Sequence, residues 1–305
     1  MNPFVLIVGP TASGKSSLGL QLAEQFGGAI LNCDSLQTYQ RLNIGTAKPS
    51  AKDFARVPHF LFDMVRPGDV LTAGDYRRSA MDILARELPS RMIFGVGGSG
   101  FYIQALEKGM FDVSKPSIEA ERAVRQRLEE NGPEALYAEL VEKDIKYALS
   151  ISPNDTYRIT RALIIIEDSG KSVTQVRSEF AKITFPYPLL KLGLNLSREE
   201  LEPRIRARAK IMLAEGLLEE VHELVNEGYG SWPAMQSVGY KECLDVLNGD
   251  LAEEKLLDQI VEKTLQLSKK QRTWFKRDTD IKWLDPQNAY ADAVDKITGF
   301  RKSLL

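Results

Sequence analysis

Residues 4–8, FVLIV, form an unbroken apolar run, and the next eight residues read GPTASGKS. No other feature constrains the chain as strongly. A short apolar run ended by glycine reads as a strand buried on both faces. Residues 16–26 then place Leu18, Leu22 and Phe26 on one helical face. Between strand and helix, Gly9, Pro10, Thr11, Ala12, Ser13, Gly14, Lys15 and Ser16 fit G-x-x-x-x-G-K-[ST], the phosphate-binding P-loop, in the setting it requires. The glycines let the backbone curl so that successive N–H groups point at phosphate oxygens, and the helix N-terminus adds positive potential. Lys15 supplies a mobile charge for the terminal phosphate, and the Ser16 hydroxyl can hold Mg²⁺. Such an element binds a di- or triphosphate without naming a reaction.

Beyond the loop, strand patterns at 29–33 and 92–96 alternate with helical ones, including 75–88, which Pro89 stops. Later strands are expected at 189–196 and 281–284, and helices at 199–213, 217–227, 251–276 and 288–300. This order predicts an α/β fold, a P-loop NTPase-like parallel sheet flanked by helices. From 114 to 185 the pattern changes to helices alone, at 119–131, 134–141 and 156–167, the last with Ile159, Leu163 and Ile166 as its apolar set. Pro116, Pro133 and Pro153 punctuate that stretch. The expected organisation is therefore a catalytic core, 1–113 and 186–305, interrupted by an inserted all-helical domain, 114–185.

Composition excludes some classes. The 305 residues carry a net charge of −2, so a nucleic-acid surface would have to be local. Cys33 and Cys243 are the only cysteines, which suits a reducing, cytoplasmic compartment. No window approaches the ~18 apolar residues of a membrane span, and no basic leader opens the chain. A monomer is the default expectation. His59 and His222, the only histidines, are too few for a histidine-rich metal site and read as structural. Met110, Met212 and Met235 read as packing positions.

Three P-loop classes then compete: GTPase, kinase, and a transferase that uses a diphosphate ester. No N/T-K-x-D follows a strand, as a guanine-reading GTPase would need. Strand 92–96 ends in Gly97-Gly98-Ser99-Gly100, without the acid that holds Mg²⁺ in a motor-type ATPase. The carboxylate at a strand end is Asp34, which opens DSLQTY at 34–39, ahead of NIGTAKP at 43–49. Ligands of open α/β sheets sit beyond the carboxyl ends of the strands. Asp34 can there serve as a base on an acceptor, although an aspartate so placed also suits a turn or N-cap. Arg204 and Arg208 share a helical face within a run of four positive charges from 204 to 210. KKQRTWFKR at 269–277 holds five positive charges, no acid and two aromatics. That mix suits phosphate contacts with stacking on unpaired bases, or an aromatic pair packed under snorkelling lysines.

Taken together, these segments resemble the tRNA dimethylallyltransferases, also called tRNA isopentenyltransferases. The likeness spans nearly the whole chain: GPTASGKS, DSLQTY with IGTAKP, VGGSGFY at 96–102, PNDTYRITRAL at 153–163, RIRARAKIMLAEGLLEEV at 204–221, SVGYKE at 237–242, and KKQRTWFKR. The resemblance implies transfer of a dimethylallyl group from dimethylallyl diphosphate to the N6 amine of the tRNA adenosine 3′ of the anticodon. The cradle would hold the leaving pyrophosphate, with Lys15, Ser16 and Mg²⁺ stabilising its charge and Arg204 and Arg208 facing it. Asp34 would orient and deprotonate the amine. Ser99, where the family usually has threonine, would lie near the reacting centre. Asp34, Ser35, Leu36, Gln37 and Ser99 would meet the tRNA, as would Arg125, Tyr157, Arg158, Ile159, Thr160 and Arg161 against the anticodon stem-loop. Two positions depart from the family: Lys270 and Leu265 stand where arginines are usual. The alternatives are a P-loop kinase using ATP, with Asp34 as base on a hydroxyl, and a non-catalytic P-loop RNA-binding protein. Neither the arginine-bearing helical insertion nor the 269–277 segment follows from the kinase reading.

Overall fold

The computed structural model describes residues 2–109, 117–179 and 184–304. The chain divides into two compact units, Met1–Glu107 with Phe185–Leu305, and Lys108–Thr184. The first unit opens with β1 (Phe4–Val8), α1 (Lys15–Gln25), β2 (Ala29–Asn32), α2 (Ala51–Arg56), β3 (His59–Phe60), α3 (Ala73–Glu87), β4 (Ile93–Gly97) and α4 (Gly100–Lys108). The second unit holds α5 (Ile118–Lys143), α6 (Ile145–Ala148), α7 (Thr156–Ser169) and α8 (Val173–Glu179). The chain re-enters the first unit with β5 (Leu189–Gly193), α9 (Arg198–Ala214), α10 (Leu217–Asn226), α11 (Tyr240–Leu247), α12 (Leu256–Phe275), β6 (Lys282–Trp283) and α13 (Ala289–Lys302).

The sheet is parallel throughout, in the order β3-β2-β4-β1-β5-β6. Every residue of β1, β2 and β4 is buried, which is why these strands show no polar alternation, Asn32 at the end of β2 being the one polar side chain among them. Val5 and Ile7 pack with Leu18 and Leu22 of α1 and Ile297 of α13. A second core gathers α9, α10, α11 and α12 around Tyr39, Leu42, Trp232 and Tyr240, and Met212 and Met235 are buried in it. Serine or threonine capping boxes start α2, α3 and α9, each closed by an acid three residues on. Because β2, β4 and β1 are neighbours, the segments leaving their carboxyl ends emerge side by side. Those segments carry Asp34, Ser99 and the glycine loop.

Several sequence expectations change in detail. The expected helices 119–131 and 134–141 are joined as α5, but Gly132 (φ 77°, ψ 173°) breaks the helix before Pro133. Helix α12 starts at Leu256, not 251, because residues 250–255 are used by the turn after α11 and a 3₁₀ turn at Glu253–Lys255. The strand expected at 189–196 ends as a ladder at Gly193. Besides β3, only two residues long, the helices α2, α4, α6, α8 and α11 were not expected. Met110 and the expected 113/114 boundary lie outside the described residues. At the other boundary, Phe185 belongs to the first unit and its ring lies 5.8 Å from that of Phe4.

At Gly97 two strand ends meet without room for a side chain. A Cβ there would stand 2.1 Å from the carbonyl carbon and oxygen of Cys33. Backbone cannot rotate aside as a side chain can, so Gly97→Ala must prise β4 from β2. The expected loss is about 1–3 kcal/mol, the usual range for overpacking, read as a lowered Tm. A Tm equal to that of the unaltered protein would contradict this account of the strand ends.

Candidate active site

The glycine loop is held from outside. A Cβ on Gly9 would lie 2.7 Å from the Leu194 carbonyl oxygen, so only glycine lets the loop leave β1 beside β5. Ala12 (φ 62°) and Gly14 (φ 92°) are left-handed, and these two residues turn the chain back into α1. The N-terminus of α1 has no side-chain cap. The Ser13 hydroxyl is buried without a hydrogen-bond partner. A helix start and a hydroxyl left unsatisfied together have the donor geometry of an anion cradle. Lys15 is buried and its Nζ donates to the Pro10 carbonyl at 3.1 Å. Its pKa is lowered to about 8, chiefly by burial, with Arg208 lowering it further and Asp34 opposing. The Ser16 hydroxyl lies at the exposed first turn of α1.

Asp34 is placed by the residue two before it. Buried Asn32 accepts the Asp34 N–H at 2.8 Å and donates to the carbonyls of Asp34 and Leu61, each at 3.0 Å. One Asp34 carboxylate oxygen accepts the Leu36 N–H at 3.0 Å. Behind it, Tyr76 donates to the Asn32 carbonyl at 2.9 Å. Cys33 adjoins Asp34, but burial pushes its thiol up to about 12, so it is no nucleophile. Ser99 joins strand ends: its Oγ accepts the Ser35 N–H at 2.8 Å and meets the Ser35 hydroxyl at 3.1 Å. Leu36 is partly buried against the second core, and Gln37 donates to the carbonyls of Thr46 and Ala47.

Arg208 is half-buried and reaches the Thr46 carbonyl at 3.4 Å. Burial lowers its pKa and Asp34 raises it. Lys15, Asp34 and Arg208 therefore form one charge cluster. Arg204 is exposed, and both arginines line a cavity of about 710 Å³ with Ile44, Lys48, Phe54 and Met212.

The sequence reading missed the role of Gln271. From α12 its Oε1 accepts the Thr11 N–H at 2.8 Å while its Nε2 donates to the Gly98 carbonyl at 3.1 Å. One amide thus latches the glycine loop to the end of β4. Three residues on, Trp274 covers Gly100, where a Cβ would lie 2.4 Å from the indole. The 269–277 segment therefore borders the cradle; its composition pointed to RNA, but nothing in it singled out the glutamine. Leu265 packs against the second core, and Lys270 is exposed.

In the second unit, Arg125, Tyr157 and Arg158 are exposed, and Arg161 is half-buried. Ile159 is a correction. It is fully buried among Val124, Leu140 and Leu163, so its side chain belongs to that unit's core and not to an RNA surface. The Thr160 hydroxyl turns back to the Thr156 carbonyl at 2.8 Å. His59 lies between the rings of Phe54, tilted to it, and Phe62, edge-on to it, and His222 meets Asn226. Among the described residues no helix is long and apolar enough to cross a membrane.

Lys15 makes anion binding pH-dependent in a defined direction. Below about pH 8 the free loop carries a protonated lysine; above it the charge is lost. Pyrophosphate affinity, taken relative to Lys15→Met, is expected to hold below pH 8 and fall as pH rises through it. Titrations from pH 6.5 to 9.5 measure this, and a flat ratio would contradict it.

Comparison with known proteins agrees with this arrangement. Residues 37–278 match the family model described as IPP transferase. The tRNA dimethylallyltransferase of Bdellovibrio bacteriovorus is 45% identical over 98% of both chains. The solved structure of the tRNA isopentenylpyrophosphate transferase of Staphylococcus epidermidis superposes with a TM-score of 0.70 at 30% identity over 100% of both chains. A eukaryotic dimethylallyltransferase described as acting on tRNA superposes with a TM-score of 0.82 at 27% identity, over 97% of this chain and 77% of that one. The phosphate cradle and strand-end carboxylate described above are therefore those of a member of the IPP transferase family.

Proposed function

We propose that this chain transfers the dimethylallyl group of dimethylallyl diphosphate to the N6 amine of the adenosine 3′ of the anticodon in tRNA. The observation that carries this reading is the placement of one acid. The carboxylate beside the phosphate cradle leaves β2, at Asp34, while the end of β4 carries glycines and no acid. An acid there would serve a metal on a triphosphate; Asp34 instead serves an acceptor.

In the reaction, the C1–O bond of the allyl diphosphate breaks and an N6–C1 bond forms. Pyrophosphate leaves with the electron pair, and an N6 proton passes to Asp34. The allylic cation character makes charge on the leaving group the main quantity to stabilise. Lys15, the N–H groups opening α1, the Ser13 hydroxyl and Arg208 are placed to do so. The exocyclic amine is a weak nucleophile, so its orientation by the Asp34 carboxylate matters as much as proton removal. Ser99 acts through Ser35, holding the Asp34 turn. Reaching such a base requires flipping it from the stacked loop, and Trp274, about 38% exposed beside the cradle, offers a surface for it.

The residues present fit a hydrated divalent cation. Among the described residues no three acidic, histidine or cysteine side chains cluster as a cage. The exposed Ser16 hydroxyl at the first turn of α1 would hold Mg²⁺ beside the diphosphate. When bound, Mg²⁺ supplies neutralisation of the diphosphate charge. Tyr157, Arg158, Arg161 and Arg125 of the second unit would grip the stem-loop. The buried free thiols of Cys33 and Cys243 suit a reducing cytoplasm.

Incubating the protein with tRNA and either labelled dimethylallyl diphosphate or labelled ATP tests the assignment. Label is expected in RNA from the former alone; phosphoryl transfer from ATP would overturn it. Asp34→Asn is expected to slow single-turnover transfer ~10²–10⁴-fold, with pyrophosphate affinity and Tm retained. A rate within about threefold of the unaltered enzyme would remove Asp34 as the base. Replacing Tyr157 and Arg158 by alanine is expected to weaken tRNA binding and flatten its salt slope by roughly 1. Pyrophosphate affinity should not move, and an unchanged salt slope would contradict the grip.

A further inference from the structure

Asn43 and Ile44, which open the 43–46 segment, line the same cavity as Arg204 and Arg208. The segment lies outside the regular elements, and its successive N–H groups turn to one side chain, Glu220 of α10. Glu220 Oε2 accepts the N–H groups of Asn43 and Ile44, each at 3.0 Å, and Oε1 faces the Gly45 N–H at 3.5 Å. The same Oε1 accepts the Tyr240 hydroxyl at 2.6 Å. Tyr240 is fully buried, and its ring closes the arrangement from below: a Cβ on Gly45 would lie 2.4 Å from it. With its N–H groups turned to Glu220, the segment presents the Thr46 carbonyl the other way, where Gln37 donates to it at 3.0 Å and Arg208 reaches it at 3.4 Å.

We propose that Glu220, braced by Tyr240, is a positioning residue. It fixes the 43–46 loop so that Thr46 holds the Arg208 guanidinium towards the phosphate cradle. This rests on the reading of Arg208 as a ligand of the diphosphate. Three N–H donors converging on one carboxylate are a charge-assisted network, stronger than neutral hydrogen bonds. An amide in its place would set its own N–H₂ against those donors. The loop would then loosen, and Arg208 would lose the carbonyl that aims it. Three segments far apart in sequence, IGTAKP, the LLEEV end of 204–221 and SVGYKE, thereby serve one arginine.

The test is a double-mutant cycle in the full chain with Mg²⁺, comparing Glu220→Gln, Arg208→Ala and the pair. Pyrophosphate affinity, KM and kcat with dimethylallyl diphosphate, tRNA affinity and Tm are measured. Glu220→Gln is expected to weaken pyrophosphate binding and raise KM about tenfold, with kcat, tRNA affinity and Tm much less affected. In the Arg208→Ala background it should add less than twofold. Tyr240→Phe removes the brace but keeps the carboxylate on the loop, so a loss of about twofold is expected, and it serves in the same cycle should Glu220→Gln not fold. An additive cycle, or unchanged pyrophosphate affinity in Glu220→Gln, overturns the proposal. Unchanged affinity in Arg208→Ala overturns the reading of Arg208 beneath it, and the proposal with it.

Discussion

A lysine whose charge is held against the cost of burial is the constraint on which the rest of the site depends. Lys15 sits inside its loop with the Pro10 carbonyl as hydrogen-bond acceptor, and its pKa falls to about 8. Burying a cation without a full counter-charge is unfavourable. Asp34 relieves that cost in part, and Arg208 adds to it. The three charges leave a net positive site. The site is thereby electrostatically preorganised for a polyanion, whose phosphate oxygens would offset the cost of the buried cation. Such preorganisation requires a loop that cannot relax around its own lysine. Leu194, just past β5, packs against Gly9, and Gln271 holds Thr11 from α12. The rigidity comes from the second half of the chain, from Leu194 against Gly9 and from Gln271 against Thr11, the latter 260 residues apart.

That division explains what was legible in the sequence. The glycine loop is a local device: strand, turn and helix lie within residues 4–25, so its pattern states its structure. Asp34 was legible for a related reason, since a strand end in a parallel sheet has a predictable neighbourhood. Gln271 had no such signal. Its function consists of two backbone partners at 11 and 98, and no spacing within α12 encodes them. Glu220 is the same case, an acid on an acidic helix until its loop is placed on it. The two residues of β3 are too few for periodicity to register. Ile159 failed differently. Helical periodicity placed it with Leu163 and Ile166 as an apolar face, whereas the family likeness carried the whole 157–161 stretch to tRNA. The physical signal was the better guide at that position, because a side chain at 0% exposure cannot touch RNA.

The absence of an acid at the end of β4 has a steric cause as well as a chemical consequence. Gly97 admits the Cys33 backbone so closely that any Cβ would overlap it, and Gly98 has the Gln271 amide against it. An aspartate at either place would have to displace the end of β2 or break the Gln271 latch. The strand ends are instead drawn together, with the Cys33 carbonyl accepting the Ser99 N–H at 3.2 Å and Ser99 fixing Ser35. The close approach that excludes a carboxylate from β4 is therefore the one that positions the carboxylate of β2. A phosphoryl-transfer site spends its strand-end acid on a metal bridging the terminal phosphates. Here the acid stands one strand further from the loop and is braced by Asn32 and the Leu36 N–H. Such an arrangement favours chemistry at a nucleophile facing the cradle over chemistry on the phosphate within it. It supports carbon transfer with pyrophosphate as the leaving group on a scaffold built for holding phosphates.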